Sequence, residues 1–230
     1  MKHQRIFCVL LCLCMAVGLG ARAAYPEYIW SMGEPDAPGI QITYPLTGNQ
    51  VMDRHLISFY FDWLSGARAL ADEDEQLALE MGLESGIPVS SGAYALTAEH
   101  FESGDTVSFL FTEYANRYAS VHPFTAYTGK TFRPATGEPV SLTALVAEGQ
   151  WDALVKKADA ALRADEAINE WANSEPGWFM EGLTAMDAFD AFALTGDALI
   201  IQFQQYQLCP YALGAPRVEI PLAELAGILR

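Results

Sequence analysis

The chain has little cysteine, little positive charge and none of the common catalytic motifs. Three of its four cysteines (Cys8, Cys12 and Cys14) lie within the first 23 residues, leaving Cys209 alone in the rest. One thiol cannot close an internal disulfide, so the fold has to rest on a hydrophobic core. Lys and Arg total 13 against 29 Asp and Glu, a formal charge of −16. Nucleic-acid binding needs a basic footprint and docking on anionic lipid needs basic clusters, and neither occurs here. His55, His100 and His122 follow no His-x-x-x-His spacing, and no Cys-x-x-Cys pair exists, so no metal site and no cofactor is expected. The acidic cluster Asp72-Glu73-Asp74-Glu75 lacks the glycine and distal glutamate of a calcium loop. There is no Gly-x-Ser-x-Gly elbow, dinucleotide fingerprint or phosphate loop, and no catalytic residue is assigned.

The N-terminus reads as a targeting segment. Lys2 and Arg5 precede a 14-residue apolar stretch, Ile6 to Leu19, followed by Ala21-Arg22-Ala23 with small residues at −3 and −1. That stretch is short for a membrane span, and no later run reaches membrane length. The expectation is a signal peptide over residues 1–23, cleavage near Ala23, a periplasmic or secreted location and no stable membrane insertion. Cleavage there removes 3 of the 13 basic residues and none of the 29 acids, leaving a formal −19. Such a charge keeps a protein soluble and attracts cationic partners. The remaining chain is long enough to bury about 70% of its unfolded surface, and a hydrophobic content of 51% excludes general disorder.

Residues 24–37 read as an extended arm and Gly39 to Leu46 as a half-buried strand. Met52, Leu56, Tyr60, Trp63, Ala67 and Leu70 recur at steps of four and three, which predicts an amphipathic helix to about Asp72. The acidic cluster then reads as a solvated turn or helix end, with Gln76 to Glu84 able to resume as helix. Period-two alternation predicts strands over Tyr94–Phe101, Thr106–Tyr118 and Phe124–Phe132, with Val107, Phe109 and Phe111 on one face and Ser108 and Thr112 on the other. Ser141 is an N-cap candidate for a short helix, Leu142 to Ala147. A longer helix is predicted from Gln150 to Asn173, ended by Glu175-Pro176-Gly177. Phe189–Leu194, Leu199–Leu208 and Val218–Ile220 read as the last strands, with a turn at Thr195-Gly196-Asp197 and a closing helix. The fold class is α+β: an antiparallel β-sheet packed against helices, in two closely packed sub-domains. The division falls between residues 24–105, a strand-helix-strand region, and 106–230. Of the tyrosines near strand ends, Tyr206 is expected in the core and Tyr211 at the surface of the Pro210–Gly214 loop.

Three segments resemble one bacterial extracytoplasmic family. They are Tyr118-Ala-Ser-Val-His122-Pro123; Phe132-Arg-Pro-Ala-Thr136-Gly137-Glu-Pro-Val-Ser-Leu142-Thr-Ala-Leu145; and the run from Phe203 through Cys209-Pro210-Tyr211 and Gly214 to Leu225. Their order is similar to the RsiV-like domain shared by lysozyme-sensing anti-sigma factors and PdaC-type peptidoglycan deacetylases, where it lies outside the catalytic module. Cys209 departs from the small apolar residue usual at its position. The paired aspartates and His-x-x-x-His motif of the deacetylase module do not occur, so deacetylase activity is not carried over. The resemblance implies an α+β domain and a non-enzymatic cell-envelope binding protein. Its ligand would be a cationic lysozyme-like protein or a peptidoglycan-related molecule. Partner contacts are expected at Pro210, Tyr211 and Gly214 and at His122. Two other readings stand beside it: an envelope hydrolase using Cys209 with His122 or carboxylates, and a structural component of an envelope complex.

Overall fold

The computed structural model describes residues 25–34, 37–81, 93–118, 120–185 and 187–230, with side chains 33–38 excepted. The targeting segment expected over 1–23 and residues 82–84 of the helix expected over Gln76 to Glu84 lie outside the described residues. Five strands form the first sheet in the order β1 (Glu27–Glu34), β2 (Ala37–Pro45), β3 (Ala93–Ser103), β4 (Thr106–Asn116) and β5 (Phe124–Phe132). The arm expected at 24–37 thus contributes an edge strand, antiparallel to β2. Only β2 and β3 run parallel, because the helix α1 (Gln50–Glu80) intervenes as a crossover.

Helix α1 begins where Asn49 Oδ1 accepts the backbone N–H groups of Val51 (3.0 Å) and Met52 (3.3 Å). Its buried stripe, Met52, Leu56 and Tyr60, packs on Val107, Phe109 and Phe111 of β4, the face that alternation assigned to the core. The Tyr60 hydroxyl donates to the Pro45 carbonyl at 2.9 Å, so burying that ring leaves no unpaired polar group. The helix does not stop near Asp72 but runs unbroken to Glu80. Asp74 is 2% exposed instead of solvated. Its carboxylate accepts the Tyr94 hydroxyl, Arg117 Nε (3.1 Å) and the Tyr118 N–H (3.1 Å). Three donors, one of them cationic, offset the desolvation that otherwise keeps a carboxylate at the surface.

The second sheet is antiparallel: β6 (Phe192–Leu194), β7 (Ala198–Gln202) and β8 (Arg217–Pro221). Thr195 makes the β6–β7 turn, its Oγ1 accepting the N–H groups of Asp197 (3.2 Å) and Ala198 (2.8 Å). Phe192, Leu194, Leu199 and Ile201 belong to the larger core with the helices, while Ala193 and Ile200 pack with Leu110 of β4. Both faces of β6 and β7 are therefore covered, which is why these two strands read as apolar runs, while β8 alternates buried and exposed residues. At the junction Ser108 Oγ accepts the Leu194 N–H at 3.0 Å. A Cβ on Gly129 would lie 2.7 Å from the Phe192 nitrogen, so only glycine lets β6 approach β5 this closely. The polar side expected for β4 is thus an interlayer face. The turn Gly104-Asp105, where the sequence divides the chain, joins two strands of one sheet.

The helical layer differs from a single helix over 150–173. A one-turn helix α2 (Leu142–Leu145), capped by Ser141, precedes α3 (Trp151–Leu162), α4 (Glu166–Ser174) and α5 (Pro176–Thr184). The break falls at Arg163-Ala164-Asp165, where the Asp165 side chain accepts the Ile168 N–H at 3.0 Å and starts a new helix. Pro176 opens α5 instead of ending a helix, since its missing N–H would have no partner in a first turn anyway. The strand expected over 199–208 stops at Gln202, and the closing helix is a short 3₁₀ turn, Leu222–Leu225.

Candidate functional site

Beyond β7 the chain turns back across the open edge of β5. Glutamine side chains there replace a β-ladder. Gln204 Oε1 accepts the Tyr127 N–H at 2.9 Å and Gln204 Nε2 donates to the Tyr127 carbonyl at 2.7 Å. Gln205 Oε1 accepts the Thr125 N–H at 2.9 Å. Buried Gln202 closes the base of the loop, its Nε2 donating to the carbonyls of Phe203, Ala215 and Pro216. Gln207 pins the loop on α5, donating from Nε2 to the Gly182 carbonyl at 3.3 Å. Gln204 and Gln205 thus satisfy backbone groups that the edge of β5 would leave bare.

This loop turns Tyr206 outward. Tyr206 has φ +63°, the one non-glycine residue with positive φ among the described residues, and it is 43% exposed. The expectation that it belongs to the core is therefore corrected: the left-handed backbone reverses the side its ring would take in a strand. Its carbonyl accepts the Trp178 indole N–H at 3.1 Å, and its hydroxyl lies 3.0 Å from His122 Nε2.

Pro210, Tyr211, Gly214 and His122 all lie at this end of the molecule. Pro210 leads into a 3₁₀ turn, Tyr211–Leu213, and Gly214 ends it at φ +76°, a backbone that L side chains adopt only with strain. Tyr211 stacks on His122, with ring centroids 3.8 Å apart and planes 20° from parallel. His122 Nδ1 lies 3.1 Å from the Pro123 carbonyl, which can only accept. In the neutral ring Nδ1 therefore carries the proton and Nε2 accepts from Tyr206. His122, Tyr206 and Tyr211 form one aromatic cluster, drawn from the β4–β5 connection and the Phe203–Gly214 loop. Pro210 and Gly214 frame it.

Cys209 lies just behind that loop and is fully buried. Its Sγ donates to the Gly214 carbonyl at 3.7 Å, and burial pushes the thiol pKa up. A raised pKa withholds the thiolate that nucleophilic attack requires. Among the described residues, no three His, Cys, Asp or Glu side chains converge as metal ligands. None of the helices is long and apolar enough to cross a membrane, again among the described residues.

Residues 143–223 match the family DUF3298, a protein family of unknown function. The DUF3298 match contains α3 to α5, the second sheet and the whole Phe203–Gly214 loop, and it leaves His122 and the first sheet outside. No curated protein matches the chain. The fold is similar to the crystal structure of a DUF3298 family protein from Pseudomonas aeruginosa PAO1. The TM-score is 0.59 at 19% identity, with 90% of this chain and 95% of that chain covered. A DUF3298 family member from Bacteroides fragilis is similar with a TM-score of 0.55 at 15% identity, covering 90% of this chain and 94% of that one. Both likenesses show the shared fold.

Trp178 and Tyr206 were not singled out as site residues by the sequence. Trp178 lies in a helix that the pattern read as a terminator. The run Phe-Gln-Gln-Tyr-Gln-Leu imitates strand alternation, and only the positive φ separates Tyr206 from it.

Proposed function

We propose that this protein is a non-enzymatic, extracytoplasmic binding protein of the cell envelope that recognises a cationic, lysozyme-like protein through the His122–Tyr211 end of the molecule. The observation that carries this reading is the aromatic cluster of His122, Tyr206 and Tyr211 held on a framed loop. Rigid tyrosines combine apolar area with a hydroxyl at low entropic cost, which suits protein recognition. The formal charge of −16 supports attraction to a cationic partner. The resemblance to lysozyme-sensing domains supports the identity of that partner, and the DUF3298 match covers the loop concerned.

The test is calorimetric titration of the protein from Ala24 onward with a c-type lysozyme at two salt concentrations. Binding that survives added salt and is lost in Tyr211→Ala or His122→Ala supports the reading. Binding that disappears with salt is charge attraction alone. No binding redirects the search to a peptidoglycan-related ligand.

A further inference from the structure

The exposed aromatic surface at this end extends beyond the stacked His122 and Tyr211. Trp178, 39% exposed on α5, donates its indole N–H to Tyr206, itself exposed and held in the left-handed region. Trp171 lies edge-on behind Trp178, with ring centroids 5.2 Å apart, and fixes the indole from the protein side by donating its own N–H to the Leu208 carbonyl. Beside His122 in the chain, Val121 (98% exposed) and Phe124 (50%) are also open to solvent. Trp178 and Tyr206 are thus exposed aromatic rings held in place by contacts within the fold. Strained, over-determined backbone at an exposed aromatic is a mark of a recognition surface.

The charge along the segment that carries both rings is one-sided. From Ala164 to Pro216 the chain carries eight carboxylates and no Lys, Arg or His. The arginines that bracket the segment are already engaged. Arg163 holds Asp159 and Asn173 and lies over the Phe179 ring, and Arg217 holds Glu99 and Glu219. Glu181 follows Trp178 by three residues on α5, and residues at that spacing are neighbours on a helix. An indole face beside a carboxylate, with no competing cation from the same segment, suits an ammonium or guanidinium group.

We infer that Trp178 and Tyr206 form the centre of an interaction surface for a Lys- or Arg-bearing protein partner, whose cationic side chains lie over the two rings. This rests on the binding reading above and adds the residues that dominate the contact. Trp and Tyr are the side chains most enriched among dominant interface residues.

Tyr206→Gly gives a clean test, because glycine accepts the positive φ and only the ring is lost. The protein from Ala24 onward, its Tyr206→Gly and Trp178→Ala variants, and His122→Ala are titrated with a c-type lysozyme and with a deca-arginine peptide, and each variant is checked by thermal melting. The expected result is binding by the parent and about tenfold or greater weakening in Tyr206→Gly and Trp178→Ala, with Tyr206→Gly still melting like the parent. If His122→Ala loses binding while Tyr206→Gly and Trp178→Ala retain it, this inference falls and the proposed function stands. If neither probe binds the parent, both fall.

Discussion

Gly182 of α5 lies directly beneath Gln207: a Cβ built on Gly182 would fall 1.9 Å from the Gln207 carbonyl oxygen. The site loop and the helix under it are in backbone-to-backbone contact there, and no flexible side-chain end can give way. Gly182→Ala should therefore displace the loop and cost about 1–3 kcal/mol, the usual range for overpacking at a rigid site. Thermal melting measures the loss. Tryptophan emission should report the loop movement, because Trp178 and Trp171 both bond to carbonyls of that loop. An alanine variant with parent stability and emission would mean the approach is looser than the geometry states.

Asp74 ties α1 to two parts of the chain that are remote from it in sequence. It receives Tyr94 of β3, Arg117 at the end of β4 and the backbone of Tyr118, where the connection to His122 begins. Asp74→Ala leaves a buried hydroxyl and an N–H without their acceptor and removes the partner of a guanidinium. The expected loss is about 2–4 kcal/mol. Glu73→Ala, which removes the exposed arm of the same pair, should cost under about 1 kcal/mol. Urea denaturation of the two variants separates these values, and equal losses would place the stabilisation in the surface arm.

Much of the architecture was legible because periodicity and burial agree. The stripe Met52, Leu56, Tyr60 and the alternation Val107, Phe109, Phe111 each indicated the face that the structure buries. What the sequence concealed depends on tertiary partners. The break before Asp165 falls in residues that could continue a helix, and the choice is made by one side-chain cap. The Asp72–Glu75 cluster reads as solvated unless Tyr94 and Arg117 are known to arrive. Gln204 and Gln205 look like strand residues because their side chains, not their backbone, complete the edge of β5. The contact between His122 and Tyr211 has no local signature, since it requires the β4–β5 connection to meet the loop after β7.

Alkaline pH should destabilise the fold through its buried phenols. Burial, with Asp53 and Tyr44 nearby, pushes Tyr60 far above the usual tyrosine range. Tyr94 is raised first by burial and then by its hydrogen bond to Asp74. Tyr25 and Tyr127 are raised as well, chiefly by burial. A phenol with a higher pKa in the folded state keeps its proton there while the unfolded chain releases it above about pH 10. The contribution to stability is complete below that pH and declines as pH rises toward the folded values. Absorbance at 295 nm during alkaline titration should show exposed tyrosines ionising first. The buried group should follow in step with loss of far-ultraviolet dichroism. Full ionisation with the fold intact would contradict the burial of these hydroxyls.

Cys209 offers a probe of the site loop that does not disturb it. The thiol is buried behind Pro210 and Gly214, and burial raises its pKa, so both access and thiolate fraction are low in the native state. Iodoacetamide at pH 8 should leave the native protein unmodified and label it stoichiometrically in guanidinium. The rate at intermediate denaturant then measures how readily the loop opens. If the loop opens only with the whole fold, the opening free energy from labelling equals the global unfolding free energy. If the segment opens locally, labelling proceeds while the dichroism of the two sheets is unchanged. Gly182→Ala should speed labelling more than Asp74→Ala does at matched global stability, because Gly182 touches the loop backbone and Asp74 lies against the other connection. Equal rates in the two variants would mean that the loop has no opening of its own.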